Sequence, residues 1–155
     1  MTVRVQLGPF DYGAECAAFA AAADALIAAA DAQRALSAEA WESIHPESIR
    51  VRMGVYTGEA EVRAGDFYGP AVNRAARLMS VGQGGQILVS AIAAVFARDR
   101  LPAGLSLRDL GEHRLKDLRH SEHIYQVVVE GLPDVVRSVT TAGELSARDR
   151  IVVAD

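Results

Sequence analysis

Residues 3–7 alternate apolar and polar positions, the period of a half-buried strand. Gly8-Pro9-Phe10-Asp11-Tyr12-Gly13 has turn chemistry, and residues 15–19 form a second apolar run. Together they predict an N-terminal hairpin. Residues 21–39 are alanine-rich, with Leu26, Ile27, Ala30 and Leu36 as an apolar stripe, which predicts a helix. Trp41 opens a loop that holds Pro46. Residues 49–56 alternate cleanly and stop at Thr57-Gly58, as a strand should. Residues 59–63 continue that strand or begin the next, and Ala64-Gly65-Asp66 reads as a turn. Pro70 suits the first turn of a helix that runs to about Val81 and stops at Gly82-Gln83-Gly84-Gly85. Residues 86–89 predict a short buried strand, and Ser90 an N-cap for a helix through Arg98. Residues 105–110 and 123–129 read as strands joined by a long connection. Residues 131–155 are weakly patterned, and no internal repeat is visible. This order predicts an α+β fold, with a mixed or antiparallel sheet and helices packed on one face.

Composition narrows the class. Of 155 residues, 50% are apolar and 23% charged, enough to bury a core and too apolar for dominant disorder. The expected organisation is one domain over residues 1–130 and a tail of unknown role over 131–155. No apolar run has the length of a bilayer span, and the first residues lack a signal-peptide core. Cys16 is the one cysteine, so neither an internal disulfide nor a CxxC metal pair is available. The net charge of -4 argues against nucleic acid as a partner. A cytoplasmic domain with no membrane attachment is the expectation. Alanine is strongly favoured, with 14 of 28 in residues 17–40, and the basic residues are fifteen arginines and one lysine, Lys116. A GC-rich coding bias accounts for both excesses. A lone lysine in that background still marks a position where arginine geometry is unsuitable.

The chemistry-bearing blocks follow in order. They are Val51-Arg52-Met53-Gly54-Val55-Tyr56-Thr57-Gly58-Glu59-Ala60, then Gly65-Asp66-Phe67-Tyr68-Gly69-Pro70-Ala71-Val72-Asn73-Arg74-Ala75-Ala76-Arg77-Leu78-Met79. Gly84-Gly85-Gln86-Ile87-Leu88-Val89-Ser90 comes next, then Leu110-Gly111-Glu112-His113-Arg114-Leu115-Lys116-Asp117-Leu118 and Tyr125-Gln126-Val127. Over about residues 13–130 the chain resembles the catalytic domain of class III adenylate/guanylate cyclases. The resemblance implies a ferredoxin-like sheet and a site formed between two subunits. The family's reaction is attack of the ribose 3′-OH of ATP on the α-phosphorus with loss of pyrophosphate. It calls for divalent metals, donors for the charge that develops, and a pocket for the base.

The resemblance also assigns residues. Asn73 and Arg77 match the pair that acts on the transition state, and as i and i+4 on a helix they share one face. Asn73 would orient the ribose, and the Arg77 fork would meet the phosphoryl oxygens. Asp66 matches the base-selecting position, where a carboxylate accepts from the exocyclic amine of adenine. Lys116 matches the lysine on the triphosphate. On residue type alone, Asn73 and Arg77 also suit an exposed polar helix face, Asp66 a turn, and Lys116 a solvated loop.

The departures concern metal. The family begins with an aspartate in an F-x-D-I-x-G block and carries a second in a G-D-x block. Twelve residues precede Gly13, too few for the first block, and Gly13 or Ala14 stands where the second aspartate belongs. Asp11 and Glu15 are nearby but out of register. The expectation is therefore no metal site and no cofactor for the chain alone, with Mg²⁺ or Mn²⁺ only where a partner supplies the aspartates. Four readings follow: a degenerate domain inactive by itself, a catalytic half that completes a heterodimer, a working adenylate cyclase whose metal is held by Asp11 or Glu15 in an altered register or by residues upstream, and a non-enzymatic nucleotide-binding or interaction scaffold. Loss of a first strand would leave an unpaired edge and favour a homodimer or heterodimer. His120 and His123 suit a surface loop, Cys16 a small buried strand position, and Tyr56 and Tyr68 packing.

Overall fold

The computed structural model describes residues 15–41, 50–116, 118–135 and 149–154. The expected strand at 3–7, the turn at 8–13 and the loop at Pro46 lie outside them. In chain order the elements are β1 (Glu15–Phe19), α1 (Ala22–Ala38), β2 (Arg52–Thr57), β3 (Glu61–Arg63), β4 (Asp66–Tyr68), α2 (Pro70–Ser80), β5 (Ile87–Ser90), α3 (Ala91–Ala97), β6 (Leu105–His113), β7 (Glu122–Val129) and β8 (Asp149–Ala154). A 3-10 turn at Arg98–Arg100 ends α3.

One six-stranded sheet runs β1-β8-β2-β5-β7-β6, and β3-β4 form a separate hairpin. The pairs β1–β8, β8–β2 and β2–β5 are parallel, whereas β5–β7 and β7–β6 are antiparallel. The sheet is therefore mixed, and the α+β class is as expected. Strand alternation divides the side chains between two layers. Met53, Val55, Ile87, Val89, Val127 and Val129 pack with α1 and α3. Gly54, Tyr56, Leu88 and Ile124 belong to the opposite face, against α2 and its neighbours. One-face packing thus holds for α1 and α3, while α2 takes the other face.

Local chemistry explains the elements. The buried face of α1 is mostly alanine, Ala22, Ala23, Ala25, Ala29 and Ala30 around Leu26, and small side chains let it lie close to the sheet. Gln33 on the same face donates to Val51 O at 2.6 Å, and Trp41 closes the helix by donating to Leu36 O at 2.7 Å. The Ser90 hydroxyl caps α3 by accepting from Ala93 N at 3.4 Å. β6 extends past the expected end because a bulge between Asp109 and Gly111, with Gly111 at φ +80°, resumes the pairing to His113.

The tail is the largest departure from expectation. After β7 it is drawn back over the sheet, where Val135 O accepts from the Gln86 and Gln126 side-chain amides at 3.3 Å each. Arg108 and Asp134 form a two-point ion pair beside it. Then β8 enters between β1 and β2, with Val152 opposite both Ala17 and Val55. β8 thereby pairs one edge of β1 and one edge of β2.

Proline at position 152 would remove a ladder donor from an interior strand. Val152→Pro is expected to cost about 3 kcal/mol, by analogy with proline in a helix interior. For a chain of this size that lowers the thermal midpoint by roughly 6–12 °C. An unchanged midpoint in a thermal melt would place these residues outside the sheet.

Candidate functional site

The site is built on α2, and α2 is placed by β2. A Cβ at Gly54 would lie 2.6 Å from Ala75 O and 2.8 Å from Met79 N, so helix and strand backbones are in direct contact. Ala71, Ala75, Leu78 and Met79 form the buried face, at the i, i+4, i+7 and i+8 spacing of a helix stripe. That assignment leaves Asn73 exposed and Arg77 half-buried on the outward side. The structure therefore brings Asn73 and Arg77 together on one helix, one turn apart. Arg77 has its carbonyl engaged by the Ser80 hydroxyl at 2.7 Å.

Arg74 lies between Asn73 and Arg77 on the polar side of α2, exposed. In the structure its guanidinium donates to Tyr56 Oη at 2.7 Å and lies 5.7 Å from the Tyr56 ring centroid. The hydrogen bond with Tyr56 is the main cause of the upward displacement of the Arg74 pKa, with Glu122 contributing from β7. Tyr56 itself is 5% exposed and packs on α2, as expected, whereas Tyr68 is 48% exposed and does not pack. An alternating strand next to an Asn-Arg-Ala-Ala-Arg helix carries no signal that would single out Arg74 as the tyrosine's partner.

Asp66 is not a turn residue. The hairpin turn is Ala64-Gly65, both at positive φ (52° and 84°), as the central pair of a primed two-residue turn needs. Asp66 pairs with Arg63 as the first residue of β4, exposed, with Oδ1 accepting from Phe67 N at 2.8 Å. β4 leads through Gly69 directly into α2, which fixes Asp66 near the helix N-terminus. Its charge reaches β1: burial first and the Asp66 carboxylate second push the Cys16 thiol up to about 11. Cys16 is half-buried against the α2 cluster of Tyr56, Ala71, Ala75 and Met79.

Lys116 is exposed on the connection between β6 and β7. Its neighbour Leu115 is 2% exposed and packs with Leu78 and Val81 at the C-terminal end of α2. Asp66 and Lys116 are thus anchored at opposite ends of an 11-residue helix, about 16 Å long at helical rise. Asn73 and Arg77 lie along its outward side between those anchors. His120 is exposed on the same connection as Lys116. His123, expected in a loop, lies in β7, 2.7 Å from the Asp109 carboxylate. That contact and the Gly111 amide hold the Asp109 pKa below its usual range, the amide contributing most.

The arrangement offers donors: an amide, two guanidiniums and an ammonium, with one exposed carboxylate at the hairpin. It suits a phosphorylated ligand with a polar base. It does not suit a divalent cation. Among the described residues no three His, Cys, Asp or Glu side chains gather as a metal site would require. Gly13 and Ala14, where the family's second aspartate belongs, lie outside the described residues.

The Asp66–Cys16 proximity is open to titration. Alkylation of Cys16 is expected to stay slow near neutral pH and to rise only as pH approaches 11, because the thiolate is the nucleophile. Asp66→Asn removes a charge that opposes ionisation, so the pH–rate curve should move to lower pH. A curve unmoved by Asp66→Asn would separate the hairpin from β1.

Comparison with known proteins bears on the family and the fold. Residues 13–129 match the family model described as the adenylate and guanylate cyclase catalytic domain. An uncharacterised protein of Mycobacterium tuberculosis is 40% identical over 111 residues, 72% of this chain and 36% of that protein. An adenylate cyclase of Podospora anserina is 28% identical over 139 residues, covering 66% of this chain and 6% of the fungal protein. The chain thus spans about a third of the length of its mycobacterial relatives, 36%. Among solved structures, the adenylate/guanylate cyclase/hydrolase from Silicibacter pomeroyi superposes with a TM-score of 0.57 at 28% identity, over 72% of this chain and 65% of that one. The guanylate cyclase domain of a Catenaria anguillulae protein in complex with GTP shares the fold, with a TM-score of 0.54 at 20% identity over 70% of this chain and 59% of that one. By sequence match over most of its length and by fold, the chain belongs to the adenylate and guanylate cyclase catalytic domain family.

Proposed function

We propose that this chain is the donor half of an adenylate cyclase site, inactive by itself and active when a second, metal-competent cyclase subunit faces α2. The observation that carries the reading is the placement of Asn73, exposed, and Arg77, half-buried, one turn apart on the side of α2 away from the face locked to β2. A side chain kept for packing would point the other way.

In this reading ATP is the substrate, and each residue has one task. The Asp66 carboxylate accepts from the exocyclic amine of adenine, a contact that guanine, with a carbonyl at that edge, does not repay. Asn73 orients the ribose so that its 3′-oxygen faces the α-phosphorus. The 3′-oxygen forms a bond to that phosphorus, the bond to the β-phosphate oxygen breaks, and pyrophosphate leaves with the electron pair. The 3′-hydroxyl proton is released, and cyclic AMP remains. Arg77 donates to the α-phosphoryl oxygens as their charge grows, which lowers the barrier because the donor is already in place. Lys116 neutralises the departing phosphates. Divalent metals would activate the nucleophile and neutralise the phosphates, and in this reading the other subunit supplies the carboxylates that hold Mg²⁺ or Mn²⁺.

The test is cyclic AMP formation from ATP with Mn²⁺. The chain alone is expected to stay at background. Mixing it with a cyclase subunit that keeps its metal aspartates, but has lost its own Asn and Arg, is expected to restore activity. Arg77→Ala in this chain should then lower the rate by about 10²–10³-fold, the usual loss for one preorganised donor. Activity of the chain alone that vanishes with Asn73→Ala would show a metal site within it and overturn the half-site reading. A mixture that stays silent would leave a nucleotide-binding or interaction scaffold.

A further inference from the structure

We infer that Arg52, the first residue of β2, is a positioning residue for Arg77, holding α2 at the axial level where the Arg77 side chain meets its ligand. The inference rests on the half-site reading above for what Arg77 does, but the geometry is independent of it.

A helix leaves its last four carbonyls without partners in the helix. For α2 all four can be accounted for. Arg77 O accepts from the Ser80 hydroxyl at 2.7 Å. Leu78 O accepts from Val81 N at 3.4 Å and Met79 O from Gly82 N at 3.0 Å. Ser80 O accepts from Arg52 Nη1 at 3.1 Å, and the same nitrogen lies 3.3 Å from Gly82 O. Three of these bonds are local to the helix end. The Arg52 bond is the one of the four that ties this end to the sheet. Arg52 is 8% exposed, so water does not compete for the guanidinium as it would at the surface. A cation at a helix C-terminus also meets the negative end of the helix dipole.

Position along the axis is what this bond adds. Gly54, two residues on and on the same face of β2, sets how close the helix comes. Tyr56, on the same face, packs with Ala71, Ala75 and Met79 and accepts from Arg74 at 2.7 Å, which holds the middle of the helix and leaves its C-terminal end to Arg52. Arg52 fixes that end, because it grips Ser80, three residues beyond Arg77 and bonded back to the Arg77 carbonyl. A shift of about one helical rise, ~1.5 Å, would carry the Arg77 fork off a phosphoryl oxygen. Arg52 touches no ligand in this arrangement and acts through the helix.

Two variants of the full chain test this. Arg52→Met keeps much of the aliphatic stem and removes the donors, whereas Arg52→Lys keeps one cation able to reach the Ser80 carbonyl. The first readout is amide hydrogen exchange, which needs no activity. Arg52→Met is expected to speed exchange at residues 77–82 at least tenfold while β5 and β7 amides keep their rates, and Arg52→Lys to restore most of the protection. Unchanged exchange at 77–82, or equal acceleration throughout the sheet, overturns the inference. The second readout is the mixed assay with the metal-competent subunit. Arg52→Met is expected to lower kcat about tenfold with KM for ATP within twofold, since a donor that acts on the developing charge is displaced while ground-state binding persists. Equal loss in Arg52→Lys, or a KM effect without a kcat effect, counts against it. If the wild-type mixture makes no cyclic AMP, the half-site reading fails, and the exchange pattern alone still decides whether Arg52 holds α2.

Discussion

The site depends on one contact, the meeting of the β2 and α2 backbones at Gly54. No side chain separates them, and the Ala75 carbonyl and Met79 amide occupy the space a Cβ would need. Sinking the helix in this way has two consequences. The buried face must be made of small residues at the crossing, which Ala71 and Ala75 provide, with larger Leu78 and Met79 beyond it. The outward face is then held by a rigid support, so Asn73 and Arg77 are displayed from a helix with little freedom to tilt. A substitution at Gly54 would move Asn73 and Arg77 without touching them, by lifting the helix that carries them.

Much of this was legible in the sequence, because its signals are local. The alternating run that ends at Thr57-Gly58, Pro70 at the helix start and the glycines after Val81 each act within one or two turns, and β2, α2 and β5 follow them closely. Asn73 and Arg77 were legible as a pair because helical spacing alone puts them on one face. The rest depends on long-range pairing. Arg52 reads as the polar position of an alternating strand, and only the return of α2 across the sheet brings Ser80 to it. Arg74 and Tyr56 are 18 residues apart and meet for the same reason. The division of helices between two faces has the same origin, since a sequence shows that a helix has an apolar stripe but not which side of the sheet receives it.

β8 is the clearest case of a strand whose partners are distant. Its six residues are joined in parallel to β1, more than a hundred positions earlier, and to β2. The family match ends at residue 129, so this strand and Val135 lie beyond it, whereas Gln86 and Gln126, which donate to the Val135 carbonyl, lie within it. Interior strand positions are demanding, because backbone groups on both sides need partners. A sheet with β1 on one side of the gap and β2 on the other would be joined through helices alone, α1 on one face and, through Cys16, α2 on the other. Filling the gap from the C-terminal side turns two separate edges into a continuous ladder.

The same economy explains the chemical one-sidedness of the site. Polar groups such as the exposed Asn73 amide and Lys116 ammonium can stand in water at little cost to folding, because solvent satisfies them. A pair of metal carboxylates is different: held close together, they repel each other until the cation is bound, and their supporting fold bears that strain. The described residues keep the donors, which are cheap to display, and show no such carboxylate cluster. The outward face of α2 belongs to none of the described core clusters, so what it displays does not compete with the packing of the sheet.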